Sequence, residues 1–421
     1  MGQGGGSLIE SVNALTVRWA AAACSGTESV VFSGAGVWPL LAFLAEGAAG
    51  PGRDELQQAV GVDAAGAARA AREVLGVLDA SPAVRSALGL WTGVGLPLRP
   101  EWAGQIPADT RGELTGKPRE DQERLNAWAD ERTGGLIPAM PVEIDEDTRL
   151  VLAGALTVRT AWDHPFSEVP DRPAAGPWAD REIAVLRRAL WTFDDLRAAD
   201  APGGPLTMLR VAGSGEIDVH LLLGDPARFA GDVLAAGVAA LAGRHRITGG
   251  SALPEGDAAP GVVVRTVESF TPGDVLYQAV PRFTVTSSHD LLKVPEVFGL
   301  QSVTDRGRGH FPGISAEPLA IGQARQDALA SFQALGFEAA AVTAFTAVPG
   351  GAAPPSSTYR VKVIEVRFDR PFGFLTVHRT SGLILTAGWV AEPEPAGAPA
   401  VVEIEEEPVR SPQRGWWRRG S

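Results

Sequence analysis

The residues of this chain that could carry out acid–base, nucleophilic or metal chemistry are few and lie far apart. Its six histidines show no metal-ligand spacing, and we interpret them as surface or loop residues: His164, His220, His245, His289, His310 and His378. The acidic runs at 143–147 and 403–407 are typical of solvated faces rather than of paired catalytic carboxylates. Phosphate-loop, zinc-protease and nucleophile-elbow motifs are missing. The sequence therefore predicts no catalytic residue, no metal site and no cofactor.

Charge and composition exclude several classes of function. The 421 residues carry 37 Lys and Arg against 50 Asp and Glu, and the net charge of −13 at pH 7 repels nucleic acid. Cys24 is the single cysteine, which excludes a disulfide framework, and its Ala-rich surroundings indicate a small buried hydrophobe. The chain has no run of 18 apolar residues that would predict a transmembrane helix. Its first residues lack the features of a secretory signal, so we expect a cytoplasmic protein.

The elements that must position any functional residue are helices first and strands later. Apolar residues recur at helical spacing in 9–23 and 37–44, and again near 125–130. Strand-like runs follow at 150–157, 219–223, 262–267, 277–285, 359–368, 372–378 and 383–389. Because helices and strands do not alternate, the pattern favours an α+β fold over a doubly wound sheet. We expect a flexible leader at 1–7 and a disordered tail at 394–421.

The segment between Gly336 and Pro349 is Ala-rich and contains no proline. A segment that slides as a new strand between two existing strands needs small side chains and free backbone N–H groups, which this composition provides. Period-two alternation puts one set on each face: Phe337, Ala339, Ala341, Thr343 and Phe345 against Glu338, Ala340, Val342 and Ala344. We assign the face that carries the charge of Glu338 to solvent. From these residues alone, an ordinary Ala-rich strand or helical turn stays an alternative.

Several separate segments, in order, resemble the serpin family of serine protease inhibitors. The stretch Gly-Phe-Glu-Ala-Ala-Ala-Val-Thr at 336–343 is similar to the serpin hinge, Gly-Thr-Glu-Ala-Ala-Ala-Ala-Thr. The other segments are Asn-x-Trp with Thr-x-Gly-x-Ile at 126–137, the run 147–166 with its tryptophan, Pro-Arg-Phe at 281–283, Gly-Ile-Ser at 313–315, Arg-Pro-Phe-Gly-Phe at 370–374, and Gly-Trp-Val followed by proline at 388–393. They cover about residues 8–393, and the chain resembles a divergent, bacterial-type member.

The resemblance implies a single large serpin-like domain at 8–393, with N-terminal helices, a large mixed sheet A, further β-sheets and an exposed reactive-centre loop at about 336–360. It also implies suicide inhibition, in which a serine protease cleaves the loop and the cleaved loop inserts into sheet A. The inhibitor then contributes no catalytic residue. Carried over to this chain, the breach residue is Trp162, the shutter residue is Ser33, and the hinge residues are Gly336, Phe337, Glu338, Ala339, Ala340, Ala341, Val342 and Thr343.

The chain departs from the family pattern in the hinge and in the shutter. Phe337 stands where the family has threonine, and Ala334 stands where it has glutamate. Gly36 and Gly154 replace polar shutter residues, and Gln326-Asp327 replaces a His-Lys pair. We expect the loss of these hydrogen bonds to change how sheet A opens. A non-inhibitory serpin-fold protein that binds a partner or acts as a scaffold is therefore the alternative function.

The position of the bait bond depends on the end from which it is counted. The family distance from the hinge glycine places it at Gly350-Gly351, whereas counting back from Pro371 places it near Arg360. Phe345 and Val348 are further candidates, and together these residues imply a subtilisin-, elastase- or trypsin-like target. We expect a monomer, and the family analogy makes an extracellular location the alternative to the cytoplasm. The Trp/Arg cluster at 414–419 is interpreted as part of a disordered end, with membrane docking as its alternative.

Overall fold

The computed structural model describes residues 3–107, 111–135, 138–140, 142–146, 148–337 and 358–397. The helices of these residues are α1 Gln3–Ala23, α2 Gly34–Gly47, α3 Gly50–Val60, α4 Ala67–Asp79, α5 Pro100–Ala103, α6 Pro118–Thr133, α7 Ala230–Leu241 and α8 Pro295–Phe298. The first ten strands are β1 Val30–Phe32, β2 Val84–Thr92, β3 Arg111–Glu113, β4 Leu150–Val158, β5 Thr160–Ala161, β6 Ser167–Asp171, β7 Ile183–Leu190, β8 Leu196–Ala201, β9 Gly204–Ala212 and β10 Ile217–Leu223. The other ten are β11 Arg246–Gly249, β12 Gly256–Ala259, β13 Val262–Ser269, β14 Val275–Pro281, β15 Phe283–Asp290, β16 Arg325–Phe332, β17 Gly336–Phe337, β18 Tyr359–Arg367, β19 Phe372–His378 and β20 Leu383–Val390.

Local sequence explains where the main helices begin and end. Ser33 caps α2, because its hydroxyl accepts the backbone N–H of Gly36 at 3.0 Å. Helix α6 has proline at its first position, where a missing N–H costs nothing, and it ends at Gly134, whose φ of 66° suits glycine. In α4 the buried residues all lie on one face, so this helix packs on α2 along an apolar stripe.

The strands form four sheets. Their strand orders are β1-β20-β19-β10-β9-β8-β11, β12-β13-β18-β14-β7-β6, β15-β16-β17-β5 and β3-β2-β4. The large mixed sheet implied by the family resemblance is present as the last two sheets, with β2 and β3 parallel and its other pairs antiparallel. One core lies between the helices α1, α2 and α4 and the strands β19 and β20, and a second core lies between the sheets.

The boundaries of the domain differ from those expected at both ends. Helix α1 begins at Gln3, so residues 3–7 continue the helix instead of forming a flexible leader; extending an existing helix is far easier than nucleating one. At the other end, Pro395 forms a bridge to Ile183, and the Glu394 carboxylate lies 2.6 Å from Nε of the buried Arg282. Residues 394–397 therefore extend the domain, and the rest of the expected tail lies outside the described residues.

Two further observations concern Cys24 and the helices. Cys24 is buried, and this burial raises the pKa of its thiol to about 12, which agrees with its interpretation as a small hydrophobe. Among the helices of the described residues, none combines the length and the apolar character needed to cross a lipid bilayer.

Candidate functional site

The first end of the predicted hinge already lies in the sheet. Strand β17 pairs antiparallel with β5, so that Gly336 is opposite Ala161 and Phe337 is opposite Thr160. On its other side Phe337 is opposite Phe332 of β16. The Phe337 side chain is 1% exposed, and its ring centroid is 6.3 Å from that of a second core phenylalanine. The residue that replaces the family's threonine therefore occupies a core position and does not have to enter the sheet.

Trp162 holds the turn that leads into β17. Its indole N–H donates to the Gln333 carbonyl at 2.8 Å, and its backbone N–H donates to the Leu335 carbonyl at 2.9 Å. The indole is 4% exposed and lies 4.9 Å from the ring of Phe332, measured between centroids. The backbone N–H of Phe166 also donates to the carbonyl preceding Leu335, at 2.8 Å. The turn 333–335 is therefore fixed at three successive carbonyls.

Below β17 the large sheet is divided. Over their described lengths, β4 and β16 share no ladder of backbone hydrogen bonds; β4 pairs with β2, and β16 pairs with β15. A cavity of about 410 Å³ continues this division toward α2. Its walls include Leu40 and Leu44 of α2, Leu150 and Val151 of β4, and Ala324 just before β16. The two strands therefore present facing edges above a cavity whose walls combine these apolar residues with charged ones such as Arg306 and Arg308.

Ser33 and Gln326 join α2 to β16 beneath this division. The side-chain Oε1 of Gln326 accepts the backbone N–H of Ser33 at 2.8 Å, and its Nε2 donates to the Ser33 carbonyl at 3.0 Å. The Ser33 hydroxyl donates to the Leu385 carbonyl at 2.5 Å. We expected the polar links to be lost here, and for Gln326 this expectation was wrong. The amide of Gln326 can both donate and accept a hydrogen bond, so it links β16 to the start of α2 without a change in protonation.

His289 connects β15 to β1 on the other side of β16. Its Nε2 donates to the Val31 carbonyl at 2.8 Å, and its ring packs edge-on against Trp19. Burial lowers the pKa of His289 below its ordinary value, while the Val31 carbonyl and the Asp327 carboxylate oppose this shift. The neutral imidazole is the form that this environment favours.

The second end of the segment 338–357 is followed by strand β18, which lies in the middle of another sheet. Strand β18 begins at Tyr359 and lies between two partners, β13 and β14. The antiparallel ladder with β13 runs from Ser269 opposite Tyr359 to Val262 opposite Val366, so it leaves out only Arg367, the last residue of β18. The parallel ladder with β14 begins where Val275 is opposite Val363. Strand β18 is therefore held along both edges.

Lys362 adds side-chain links to this second end. Its Nζ donates to the carbonyls of Ser251 at 2.8 Å and Leu253 at 2.9 Å. Its backbone N–H donates to the Asp274 carboxylate at 2.8 Å. These contacts join β18 to the residues before and after β13. They therefore stabilise the pairing of β13 with the edge of β18.

The bait-bond candidates fall into two groups. Arg360 is the second residue of β18, opposite Glu268. Its backbone is paired with β13, so the peptide bond after Arg360 can enter a protease cleft only if this pairing opens. We therefore set Arg360 aside as a bait residue. Outside the described residues lie the remaining candidates and most of the hinge: Glu338, Ala339, Ala340, Ala341, Val342, Thr343, Phe345, Val348, Gly350 and Gly351.

The sequence analysis did not identify β13 as the strand that covers the edge of β18. The run 262–267 was recognised as strand-like, but nothing in it shows that it pairs with β18, about 100 residues away. The available signal was local: Gly261 directly precedes the run Val-Val-Val-Arg-Thr-Val. In the structure its φ of 69° lets the chain reverse after β12.

Comparison with known proteins gives the same family as the sequence motifs. The family model described as "Serpin (serine protease inhibitor)" matches residues 10–173 and 267–393, and leaves 174–266 unmatched. Serpin-Z2A of Oryza sativa subsp. japonica is 26% identical over 428 residues, covering 90% of this chain and 95% of that protein. Similar proteins also occur in wheat, in human and in the archaeon Thermococcus kodakarensis, so the comparison does not support the bacterial origin.

Solved structures share the fold at low identity. A structure of thyroxine-binding globulin in complex with thyroxine has a TM-score of 0.67 and 15% identity, and covers 92% of this chain and 99% of its own. Native protease nexin-1 with heparin has a TM-score of 0.66 and 16% identity, and covers 92% and 98%. The family match, the α+β architecture with a divided large sheet, and the neighbouring structures agree. This chain belongs to the serpin family and has the protease-inhibitor fold of that family.

Proposed function

We propose that this chain is a suicide-substrate inhibitor of serine proteases, in which the segment after Phe337 inserts between β4 and β16 once it is cut. The observation that carries the proposal is the register of β17. Because Gly336 and Phe337 already pair with β5 and β16, further insertion only extends an existing strand. No nucleation of a new strand is required.

Extending this register identifies the neighbours of each inserted residue. Ala339 would lie between Val158 and Ala330, Ala341 between Leu156 and Ala328, and Thr343 between Gly154 and Gln326. Residues opposite each other in an antiparallel pair share a face, so all three would join Phe337 on the core side. Their small size suits a narrow gap, and Glu338 would face solvent.

The same register places Phe345 at the cavity. It would lie between position 152 of β4 and Ala324, and the cavity walls include Leu150, Val151 and Ala324. A volume of about 410 Å³ above Leu40 and Leu44 has room for a phenyl ring. The large apolar residue of the inserting face would thus meet a cavity whose walls include apolar residues of α2 and β4.

The chemistry belongs to the protease. Its serine hydroxyl attacks the bait carbonyl, the amide bond breaks, the new amine takes a proton from the protease histidine, and an acyl ester remains. Insertion of about a dozen residues with roughly 0.5–1.5 kcal/mol per net hydrogen bond gives on the order of 10 kcal/mol. This free energy can move the attached protease and distort its active site before water hydrolyses the ester.

The test is incubation with subtilisin, elastase and trypsin. We expect a covalent complex that survives boiling in detergent, and no complex with the same enzymes after their serine is blocked. Fragment masses should locate the bait bond at Gly350-Gly351, or after Val348 or Phe345. The cut protein alone should melt on the order of tens of degrees higher than the intact protein.

Clean cleavage by all three enzymes, with no complex and no rise in melting temperature, would contradict the proposal. That result would instead favour the second candidate from the sequence, a non-inhibitory serpin-fold binding or scaffold protein. A complex without a rise in melting temperature would contradict insertion as the source of the stored free energy.

A further inference from the structure

Apolar side chains are exposed mainly on one surface of the described chain. Seven large apolar side chains are exposed in the described chain, and two of them, Val94 and Phe229, lie away from this surface. The other five form what we call the outer patch: Trp191 at 68% exposure, Phe270 at 56%, Tyr277 at 50%, Tyr359 at 45% and Val267 at 38%. The chain contains two tyrosines, and both belong to this patch. Such a concentration is unusual on a surface that faces only water.

Strand register places Val267, Tyr277 and Tyr359 on the outward face of the six-stranded sheet, and Trp191 and Phe270 directly follow strands of that sheet. Val267 is opposite Val361, which lies two residues beyond Tyr359 on the same face of β18. Tyr277 is opposite Ala189 of β7, and Trp191 follows two residues later. The opposite face of β18 carries Ile364 and Val366, which are buried. The outer patch therefore runs diagonally across β13, β18, β14 and the end of β7.

Trp191 lies beside the connection between β13 and β14. Its ring lies against Gly273, where an added Cβ would be 3.4 Å from the indole Cε3. Gly273 has φ of 110°, a value that favours glycine, and it belongs to the connection 270–274 that crosses the start of β18. The tryptophan therefore extends the patch from the end of β7 to the connection 270–274.

Ion pairs border the outer patch. Arg265 and Glu365 lie 3.4 Å apart on the outward face, and Arg187 and Asp171 lie 2.6 Å apart at its edge. An aromatic centre with a charged border is the usual composition of a protein interface, where tyrosine, tryptophan and arginine are enriched.

We infer that the outer patch is a docking surface for the protease that cleaves the loop. Tyr359, the first residue of β18, lies at one end of the patch, and the segment 338–357 ends two residues before it. Eight residues separate a bait bond at Gly350-Gly351 from Tyr359, a span of at most about 29 Å, so an enzyme bound at that bond stays near this end of the sheet. The inference rests on the proposed function, and it adds a source of target selectivity outside the bait residue.

The experiment measures binding without chemistry. The probes are subtilisin, elastase and trypsin in which the catalytic serine is replaced by alanine, so that they bind the full chain and cannot acylate. The variants are Trp191→Ala, Tyr277→Ala and the double variant, and the matched control is Phe229→Ala, an exposed aromatic at the start of α7. We expect the double variant to raise Kd by about tenfold or more for at least one enzyme, and the control to stay within about twofold.

Equal affinity of the wild type and the double variant, or no measurable affinity of the wild type for any of the three enzymes, would overturn the inference. So would a dimer in sedimentation that the double variant loses, because a second copy would then be the occupant. The same variants are also tested with active enzymes. Patch-dependent binding without a covalent complex contradicts only the trap mechanism, whereas a normal complex with unchanged affinity contradicts only the docking surface.

Discussion

The two ends of the segment 338–357 are anchored in opposite ways. The first end follows β17, of which the structure describes Gly336 and Phe337, next to the division of the large sheet. The second end starts β18, a strand of nine residues with a partner along each edge. The first end thus has unpaired strand edges ahead of it, whereas the second end pairs with β13 from its first residue and with β14 from Val363 onward.

This difference explains how cleavage could act as the trigger. An uncut segment can insert only if its second end follows, which requires breaking both ladders of β18. A cut segment needs no such step, because its first part is released from Tyr359. The strand β13, most of which lies in the part that the family model leaves unmatched, therefore raises the cost of insertion before cleavage.

The largest effect is expected from Ala341→Pro. Proline has no N–H to donate and is not accommodated within a paired strand, so insertion should stop about four residues beyond Phe337. We expect loss of the covalent complex and of the rise in melting temperature after cleavage, with unchanged stability of the intact protein. Electrophoresis after boiling in detergent and thermal unfolding measure both quantities.

The matched control for this variant is Ala352→Pro, which lies beyond the residues that the register places in the sheet. It should form the complex as the wild type does. If Ala341→Pro still formed a stable complex, the extended register would be wrong.

Phe345→Ala should produce the next largest effect, and only in the cut protein. If the ring fills the cavity above Leu40 and Leu44, its removal costs about 3–5 kcal/mol in the inserted state. Urea unfolding of cut and intact samples measures this difference. Val342→Ala, a truncation on the opposite face, is the control, and equal losses in the cut and intact forms of Phe345→Ala would argue against the placement of the ring.

The fold was predictable from the sequence where the pattern is local and strong. The run 150–157 became β4 with one further residue, and 372–378 became β19 without change. Contacts between distant segments were not predictable. The amide of Gln326 binds Ser33 across 293 positions, and no local pattern shows that it compensates for a missing histidine. His220 was expected at the surface, but it lies in β10, where both neighbouring strands bury it.

The site was predictable to a similar extent. The position of Trp162 followed from a motif, whereas the burial of Phe337 depends on a space bordered by Phe332 and Phe374, which come from separate strands. A single sequence does not reveal the size of such a space. The same limit applies to the covering strand β13, because edge pairing depends on which strands of a finished sheet stay open.

Lys362→Met tests the second end directly. The variant keeps the apolar stem but loses the two hydrogen bonds to the carbonyls of Ser251 and Leu253, at a cost of about 1–2 kcal/mol. Intact protein should then lose its ability to form the complex about five- to thirtyfold faster on warming, because β18 is released more readily. Lys117→Met, at an exposed lysine that precedes α6, is the control. Identical rates for Lys362→Met and the wild type would show that β18 does not limit insertion of the uncut chain.

The smallest effect concerns pH and the region beside the division of the sheet. Burial lowers the pKa of His289 in the folded chain, so the unfolded chain takes up the proton first as the pH falls below about 6.5. The folded state therefore loses stability from that pH downward, and the Asp327 carboxylate, which favours the protonated ring, limits the loss. His289→Gln should show a smaller decrease in unfolding free energy between pH 7.5 and pH 5.5 than the wild type. His220, whose pKa burial lowers to about 4 although Asp218 opposes the shift, contributes equally to both proteins and cancels in the comparison. A variant with the same pH dependence as the wild type would show that the link from β15 to β1 does not depend on the neutral imidazole.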